Sequence, residues 1–337
     1  MATLTLQRGS RSQRPTLRSH LQVLSQRAGE STTLTAVIEA IGSATAIISE
    51  DVRRAALADV LGATGEVNVQ GEQVQKLDNI ANRELIDALR RNGGCAGYAS
   101  EELEKPLIFD SDEEGYLVSS DPLDGSTNVD VNVSTGTIFA IWRGRDGHRA
   151  EEADFLQPGR ALAAGGYVLY GPASIMVLAA YGGVHIYTLD PDSDDFLLTA
   201  ESMKCPGKGS IYSVNEGYYN RWSDGVRAWN THLKEENKAE SRPYSQRYVG
   251  SLVADAHRTL LKGGIFAYPA DSKSPEGKLR LMYEANPIGF VFETAGGAAT
   301  TGRHPILEIE PKALHQRTPL IFGSAEDVAT FLRLADG

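Results

Sequence analysis

The chain is short of cysteine, of cations and of long apolar runs. Only Cys95 and Cys205 occur in 337 residues. They allow at most one bridge, which excludes a disulfide scaffold, and without a signal peptide in view two free thiols in a reducing cytosol is the simpler expectation. No apolar run approaches the roughly 18–20 residues that a membrane span needs, so a soluble chain with no membrane partner is expected. Lys and Arg number 33 against 44 Asp and Glu, a formal net charge of −11. An acidic surface repels phosphate backbones, so no nucleic-acid partner is expected. An anionic substrate would need metal ions or a local basic pocket. Repeats and low-complexity linkers are absent too, and with 41% hydrophobic and 23% charged residues the chain is neither disordered nor collagenous.

Acids are missing from residues 1–29, which carry Arg8, Arg11, Arg14, Arg18 and Arg27, so the remainder bears −16. An Arg- and Ser-rich start without acids is similar to an organelle transit peptide. The plainer reading is a mobile arm over residues 1–30 on a cytoplasmic protein. No apolar core of a secretion signal is present.

What is there reads as a layered α/β or α+β protein of two subdomains. Leu34, Val37, Ile38, Ile41, Ile48 and Val52 recur near a 3.6-residue period, and a second helix is predicted over Asn79–Arg91, stopped by Gly93 and Gly94. Short β-like runs follow at Leu107–Phe109, Tyr116–Ser119, Thr137–Trp142, Gly166–Tyr170, Ile175–Ala179 and Val184–Thr188, several paired across glycine turns such as Tyr181-Gly182-Gly183. Ser251–Leu261 predicts a helix, Asn286-Pro287 starts another, and Ser324 with Asp327 predicts a capping box for the last. The predicted subdomains are 31–205 and 206–337, with the boundary near Lys204–Ser213.

The most informative stretch is Asp121-Pro122-Leu123-Asp124-Gly125-Ser126-Thr127-Asn128. Two carboxylates three residues apart around a proline converge on one point, at the end of a β-like run. Gly125 lets backbone approach a ligand, and Ser126 and Thr127 add hydroxyl and N–H donors that suit a phosphate. Oxygen ligands of this kind fit a hard divalent cation that keeps positions open for substrate phosphate. Glu101-Glu102 and Glu284, the latter at a helix start, add further acids.

The sequence resembles class I fructose-1,6-bisphosphatases, within the lithium-sensitive sugar and inositol phosphatase superfamily. The resemblance runs from about residue 30 to the C-terminus, through GEQVQKLD (71–78), ASEE (99–102), DPLDGSTNVD (121–130), GTIFAIWRG (136–144), DFLQPGR (154–160), SVNEGYY (213–219), the long run from Gln246 to Pro287, and ETAGG (293–297). DPLDGS alone marks only the superfamily. RYVGSLVAD together with GKLRLMYEANP points to the bisphosphatase branch.

The resemblance implies a five-layered α-β-α-β-α fold and Mg²⁺-dependent hydrolysis of the 1-phosphate of fructose 1,6-bisphosphate by metal-activated water. Glu101, Asp121, the carbonyl of Leu123, Asp124 and Glu284 are implied to hold two or three Mg²⁺, with Mn²⁺ as a substitute. Glu72 stands where the family usually has an Asp near the third metal. Asp78 and Glu102 match the carboxylates that serve the attacking water. Asp124, Gly125, Ser126, Thr127, Asn215, Tyr218, Arg247, Tyr248, Tyr268, Lys278 and Arg280 are implied to bind substrate. Arg247 is implied to cross into a neighbouring subunit's site, hence a homotetramer. Carbohydrate metabolism, in gluconeogenesis or the Calvin cycle, follows as the setting. Gly115 replaces a lysine that relatives use for AMP, and no cysteine lies between Arg143 and Asp154 for a plastid-type redox switch, so neither control is expected. The alternatives are sedoheptulose 1,7-bisphosphate as a substrate, alone or in addition, and a non-catalytic sugar-phosphate-binding regulator.

Overall fold

The computed structural model describes residues 14–58, 61–67, 73–109, 115–145 and 147–335. Helix α1 (Leu17–Ala28) starts at Thr16, whose side chain accepts the Ser19 N–H at 3.2 Å, and ends at Gly29 in the left-handed region. Residues 17–28 are therefore not part of an arm. Leu17, Leu21 and Leu24 fall at positions i, i+4 and i+7 and are buried, while Arg18 and Arg27 point outward. Burying each leucine contributes about 1.5–3 kcal/mol, enough to hold the helix despite its polar composition. Arg8 and Arg11 lie outside the described residues.

Helix α2 (Thr32–Arg54) corrects a second expectation. With a mean hydropathy of 1.4 over its most apolar stretch, it has the length and composition of a membrane span. Its apolar face, however, is spent on the core: Leu34, Val37, Ile38, Ile41 and Ile48 are all buried. Strands β1 (Ala63–Val67) and β2 (Gln73–Gln75) pair antiparallel and lead to α3 (Lys76–Asn92).

These three helices share a core with one face of an eight-stranded sheet. Its strands are β3 (Cys95–Ser100), β4 (Leu107–Ile108), β5 (Tyr116–Asp124), β6 (Thr135–Arg143), β7 (Leu162–Tyr170), β8 (Ser174–Ala180), β9 (Gly183–Asp190) and β10 (Asp195–Ala200), in the order β10-β9-β8-β7-β6-β5-β3-β4. All pairs are antiparallel except β3 with β5. That parallel pair sends two chain segments out of the sheet at the same end. Gly136 of β6 has no alternative: a Cβ there would lie 2.2 Å from the Val168 carbonyl oxygen.

Beyond a short β11 (Ile211–Ser213) come α4 (Asp224–Lys234), β12 (Ser245–Gln246), α5 (Leu252–Lys262), β13 (Ile265–Tyr268), β14 (Leu279–Arg280), α6 (Asn286–Thr294), β15 (Ala298–Thr300), β16 (Arg317–Thr318), β17 (Leu320–Gly323) and α7 (Ala325–Ala335). A five-stranded sheet has the order β12-β11-β13-β17-β15, and β14 pairs with β16. The middle layer is α5 and α6. Leu252, Val253, Ala256, Ile288 and Phe292 share one core with Ile138, Tyr167 and Val177 of the large sheet and Phe266, Leu320 and Phe322 of the small one. Outside the small sheet, Val226, Trp229, Val328 and Phe331 of α4 and α7 cover Ile265, Ala267 and Ile321. The result is five layers, α-β-α-β-α.

The predicted capping box at α7 does not form as such. Ser324 Oγ accepts the Gly264 N–H at 3.0 Å, and the Asp327 carboxylate accepts the Tyr244 hydroxyl at 2.7 Å and the Gly209 N–H at 2.8 Å. Both side chains tie the helix to the small sheet's surroundings instead.

Candidate active site

The site begins where β3 and β5 end. Ser100 is in register with Ser120, and the Glu101 N–H donates to the Ser120 carbonyl at 3.1 Å. Glu101 and Glu102 therefore emerge beside Asp121, at the carboxyl ends of two parallel strands, where α/β proteins place ligands. Asp121 Oδ1 accepts the Leu123 N–H at 3.0 Å, which fixes its carboxylate inside the turn. Gly125 follows at φ 71°, and residues Ser126–Val131 form a 3₁₀ helix.

Glu284 arrives from the turn between β14 and α6. It sits in a π-helical turn, Leu281–Ala285, of a kind that often marks functional sites. Ser119 Oγ donates to the Met282 carbonyl at 2.9 Å and fastens this turn to β5. The Arg280 N–H donates to Glu284 Oε2 at 2.6 Å. Carboxylate oxygens of Asp121, Asp124 and Glu284 all fall within 4.8 Å of one another, and all three residues are buried.

The electrostatics follow from that crowding. Burial, then the charges of Glu101, Asp124, Glu284 and Glu102, push the Asp121 carboxyl well above its ordinary range. Burial and Glu101 do the same to Glu284. Asp124 is pushed up to about 6 by burial, against the stabilising N–H of Val253 at 3.0 Å and the Ser251 hydroxyl at 3.4 Å. A knot of carboxyl groups that resist ionisation is short of positive charge, and its donors are all oxygen. The residues thus fit a hard divalent cation.

Asp78 lies in the first turn of α3, where its Oδ2 accepts the Gln75 N–H at 2.7 Å. Gln75, Asp78, Glu101, Glu102, Asp121, Leu123, Asp124, Gly125, Ser126, Thr127, Lys278, Arg280 and Glu284 line one cleft of 450 Å³. Glu72 lies outside the described residues.

Arg280 is buried on the acidic side, its Nη2 3.1 Å from Glu101 Oε1, rather than among the tyrosines. A second cavity of 200 Å³ adjoins the cleft through the shared residues Tyr268 and Lys278. Asn215 and Tyr218 line it. Tyr248 stands behind it, its hydroxyl 2.6 Å from that of Tyr268, and Lys278 Nζ lies 5.5 Å from the Tyr268 ring centre. Arg247 lines neither cavity; its guanidinium is exposed and donates to the Gln246 carbonyl. Sequence reasoning missed Arg221, Lys273 and Arg317, which give the second cavity further positive charge. Arg221 stacks 4.5 Å over Tyr218, a neighbour three residues away that offered a local signal. Arg317 comes from β16 and offered none.

Two family descriptions match consecutive halves: "Fructose-1-6-bisphosphatase, N-terminal domain" over residues 18–201 and "Fructose-1-6-bisphosphatase, C-terminal domain" over residues 205–336. The chain belongs to the fructose-1,6-bisphosphatase family. It is 52% identical to a class 1 fructose-1,6-bisphosphatase of Sorangium cellulosum over 90% of this chain and 88% of that one. It is 49% identical to the class 1 enzyme of Chlorobaculum tepidum over 93% and 95%. The crystal structure of Leishmania major fructose-1,6-bisphosphatase in holo form superposes with a TM-score of 0.90 at 38% identity, covering 96% of this chain and 99% of that one. Membership of this family makes the chain a phosphate-monoester hydrolase that works with a divalent metal, and the acidic cleft is where its residues fit one.

Proposed function

We propose that the chain removes the 1-phosphate of D-fructose 1,6-bisphosphate, giving fructose 6-phosphate and inorganic phosphate, with Mg²⁺ as the metal and Mn²⁺ able to replace it. The observation that carries this reading is the continuity of the two cavities through Tyr268 and Lys278. A bisphosphate needs two unlike ends, one rich in acids for a metal-bound phosphate and one rich in cations and hydroxyls for the other.

Glu101, Asp121, Asp124, Glu284 and the Leu123 carbonyl would hold the metal, which when bound would offset phosphate charge and acidify water. Gly125, Ser126 and Thr127 offer backbone and hydroxyl donors to the same phosphate. Asp78 and Glu102 line the cleft as acceptors for the proton of the attacking water, and the Gln75 N–H orients Asp78 for that task. Asn215, Tyr218, Tyr248, Tyr268 and Lys278 receive the sugar and its distal phosphate, where hydroxyls and an ammonium form charge-assisted bonds.

The exposed Arg247 supports a further part of the reading. Its guanidinium lines neither of the two cavities described, and in a homotetramer it completes a neighbour's distal-phosphate site. The setting is cytoplasmic carbohydrate metabolism, in gluconeogenesis or the Calvin cycle.

Product analysis with Mg²⁺ tests the reading. Incubation with fructose 1,6-bisphosphate is expected to yield fructose 6-phosphate and phosphate. Release of fructose 1-phosphate, or no release at all, contradicts it.

A further inference from the structure

We propose that Asp255, to which the reading above gives no part, is the positioning residue that shapes the distal-phosphate side of the cleft. The proposal rests on that reading. Asp255 lies in the first turn of α5 and is wholly buried. Its Oδ1 accepts the Ser213 hydroxyl at 2.8 Å, and its Oδ2 accepts the N–H groups of Val249 at 3.1 Å and Gly250 at 3.2 Å. Arg258, one turn further along α5, forms an ion pair with the same carboxylate and donates to the Arg247 carbonyl.

One carboxylate thus grips two segments, one that leads into the lining of the second cavity and one that carries Tyr248 against Tyr268 and reaches the acidic cleft at Gly250. Ser213 ends β11 and leads directly to Val214 and Asn215, which line it. Val249 and Gly250 belong to the segment between β12 and α5 that presents Arg247 and Tyr248. No helix or strand holds residues 247–250, and Gly250 stands at φ 84°. The Arg247 N–H bonds the Tyr212 carbonyl at 2.9 Å; beyond it the shape depends on side chains, Asp255 accepting the Val249 and Gly250 N–H groups and the Asn128 amide donating to the Gly250 carbonyl at 3.2 Å. Through this segment Asp255 sets where the Tyr248 hydroxyl meets that of Tyr268.

The metal side is held chiefly by other bonds, although Gly250, which Asp255 also holds, lines the acidic cleft. Asp124 takes the Val253 N–H and the Ser251 hydroxyl directly, at the start of α5. Loss of the Asp255 charge should thus fall on recognition of the distal phosphate. Asparagine at this position keeps the shape, but whichever way its amide is turned the N–H₂ faces a donor-only group, the Arg258 guanidinium on one side or the Val249 and Gly250 N–H groups on the other.

The test compares two substrates on the Mg²⁺-loaded enzyme: fructose 1,6-bisphosphate and fructose 1-phosphate, which lacks the distal phosphate. The quantity read is the ratio of their kcat/KM values. In Asp255→Asn the ratio is expected to fall about tenfold or more, through KM for the bisphosphate. In Ser213→Ala, which removes one of the bonds, it falls less but in the same direction, and this variant decides if Asp255→Asn does not fold. A general loss of structure lowers both substrates alike and leaves the ratio unchanged. An unchanged ratio in the folded variants overturns the proposal while leaving the functional reading intact. A wild-type enzyme with no preference for the bisphosphate overturns both.

Discussion

The guanidinium of Arg280 lies 3.1 Å from the carboxylate of Glu101, and both side chains are largely buried. The backbone N–H of Arg280 also serves Glu284. A single residue therefore steadies two acids that lie far apart in the sequence. Arg280→Ala keeps the backbone bond to Glu284 but leaves the buried Glu101 carboxylate without its guanidinium, and the metal-free protein should lose about 3–5 kcal/mol of stability. Denaturant unfolding measures this, and Mg²⁺ should restore part of the loss. A variant as stable as the wild type without metal would show that the ion pair carries no such weight.

The crowded acids also set a pH dependence. Asp121 and Glu284 are raised well above their ordinary ranges and Asp124 to about 6. Each binds its proton more tightly in the folded chain than in the unfolded one. Their contribution to metal-free stability is thus fully present below the ordinary carboxylate range and is lost as pH rises through about 6 and beyond. A cation competes with those protons, so its stabilisation grows over the same interval. Melting temperatures with and without Mg²⁺, followed from pH 5 to 7.5, should diverge as pH increases. A gap independent of pH contradicts the account.

Much of the site was legible because its chemistry is contiguous. Asp121 and Asp124 stand three residues apart, and a proline and a glycine fix the turn between sheet and ligand. The place of Arg280 was not legible. It follows from the parallel pairing of β3 with β5 and from a π-helical turn, which together bring residues 101 and 280 into contact across 179 positions. Helix α1 was missed for a different reason. Five arginines and no acids dominate the composition of residues 1–29, while the signal lay in Leu17, Leu21 and Leu24 and in the Thr16 cap. For α4 the cues were present, with Ser223 as cap and Val226, Trp229 and Leu233 on one face.

Tyr248 and Lys278 serve the distal phosphate on this account. Tyr248→Phe removes a hydroxyl, and Lys278→Ala removes a charge that contacts both cavities. Both should raise KM for fructose 1,6-bisphosphate, by about threefold to tenfold for the tyrosine and more for the lysine, with smaller changes in kcat. Steady-state kinetics reads this directly. Normal KM values in both would place the second phosphate elsewhere.

Arg247 gives a complementation experiment. One inactive variant lacks Arg247 and the other lacks Asp121. If the arginine acts in a neighbour's site, exchange of subunits produces sites with an intact acid cluster facing an intact arginine, and part of the activity returns. A guanidinium keeps its charge and forms two parallel bonds to phosphate, so it suits such a contact. If it acts within its own chain, every site keeps one defect and no activity returns.

The central claim is that the buried acids work by holding a divalent metal for phosphate hydrolysis. Phosphate release from fructose 1,6-bisphosphate, measured against free Mg²⁺ in wild type and Asp121→Asn, tests it most directly. Wild-type turnover should vanish with excess chelator and return as Mg²⁺ is restored. At least about a hundredfold loss is expected in Asp121→Asn at saturating substrate. Full turnover by the wild type in excess chelator, or an Asp121→Asn enzyme of normal activity, would contradict it.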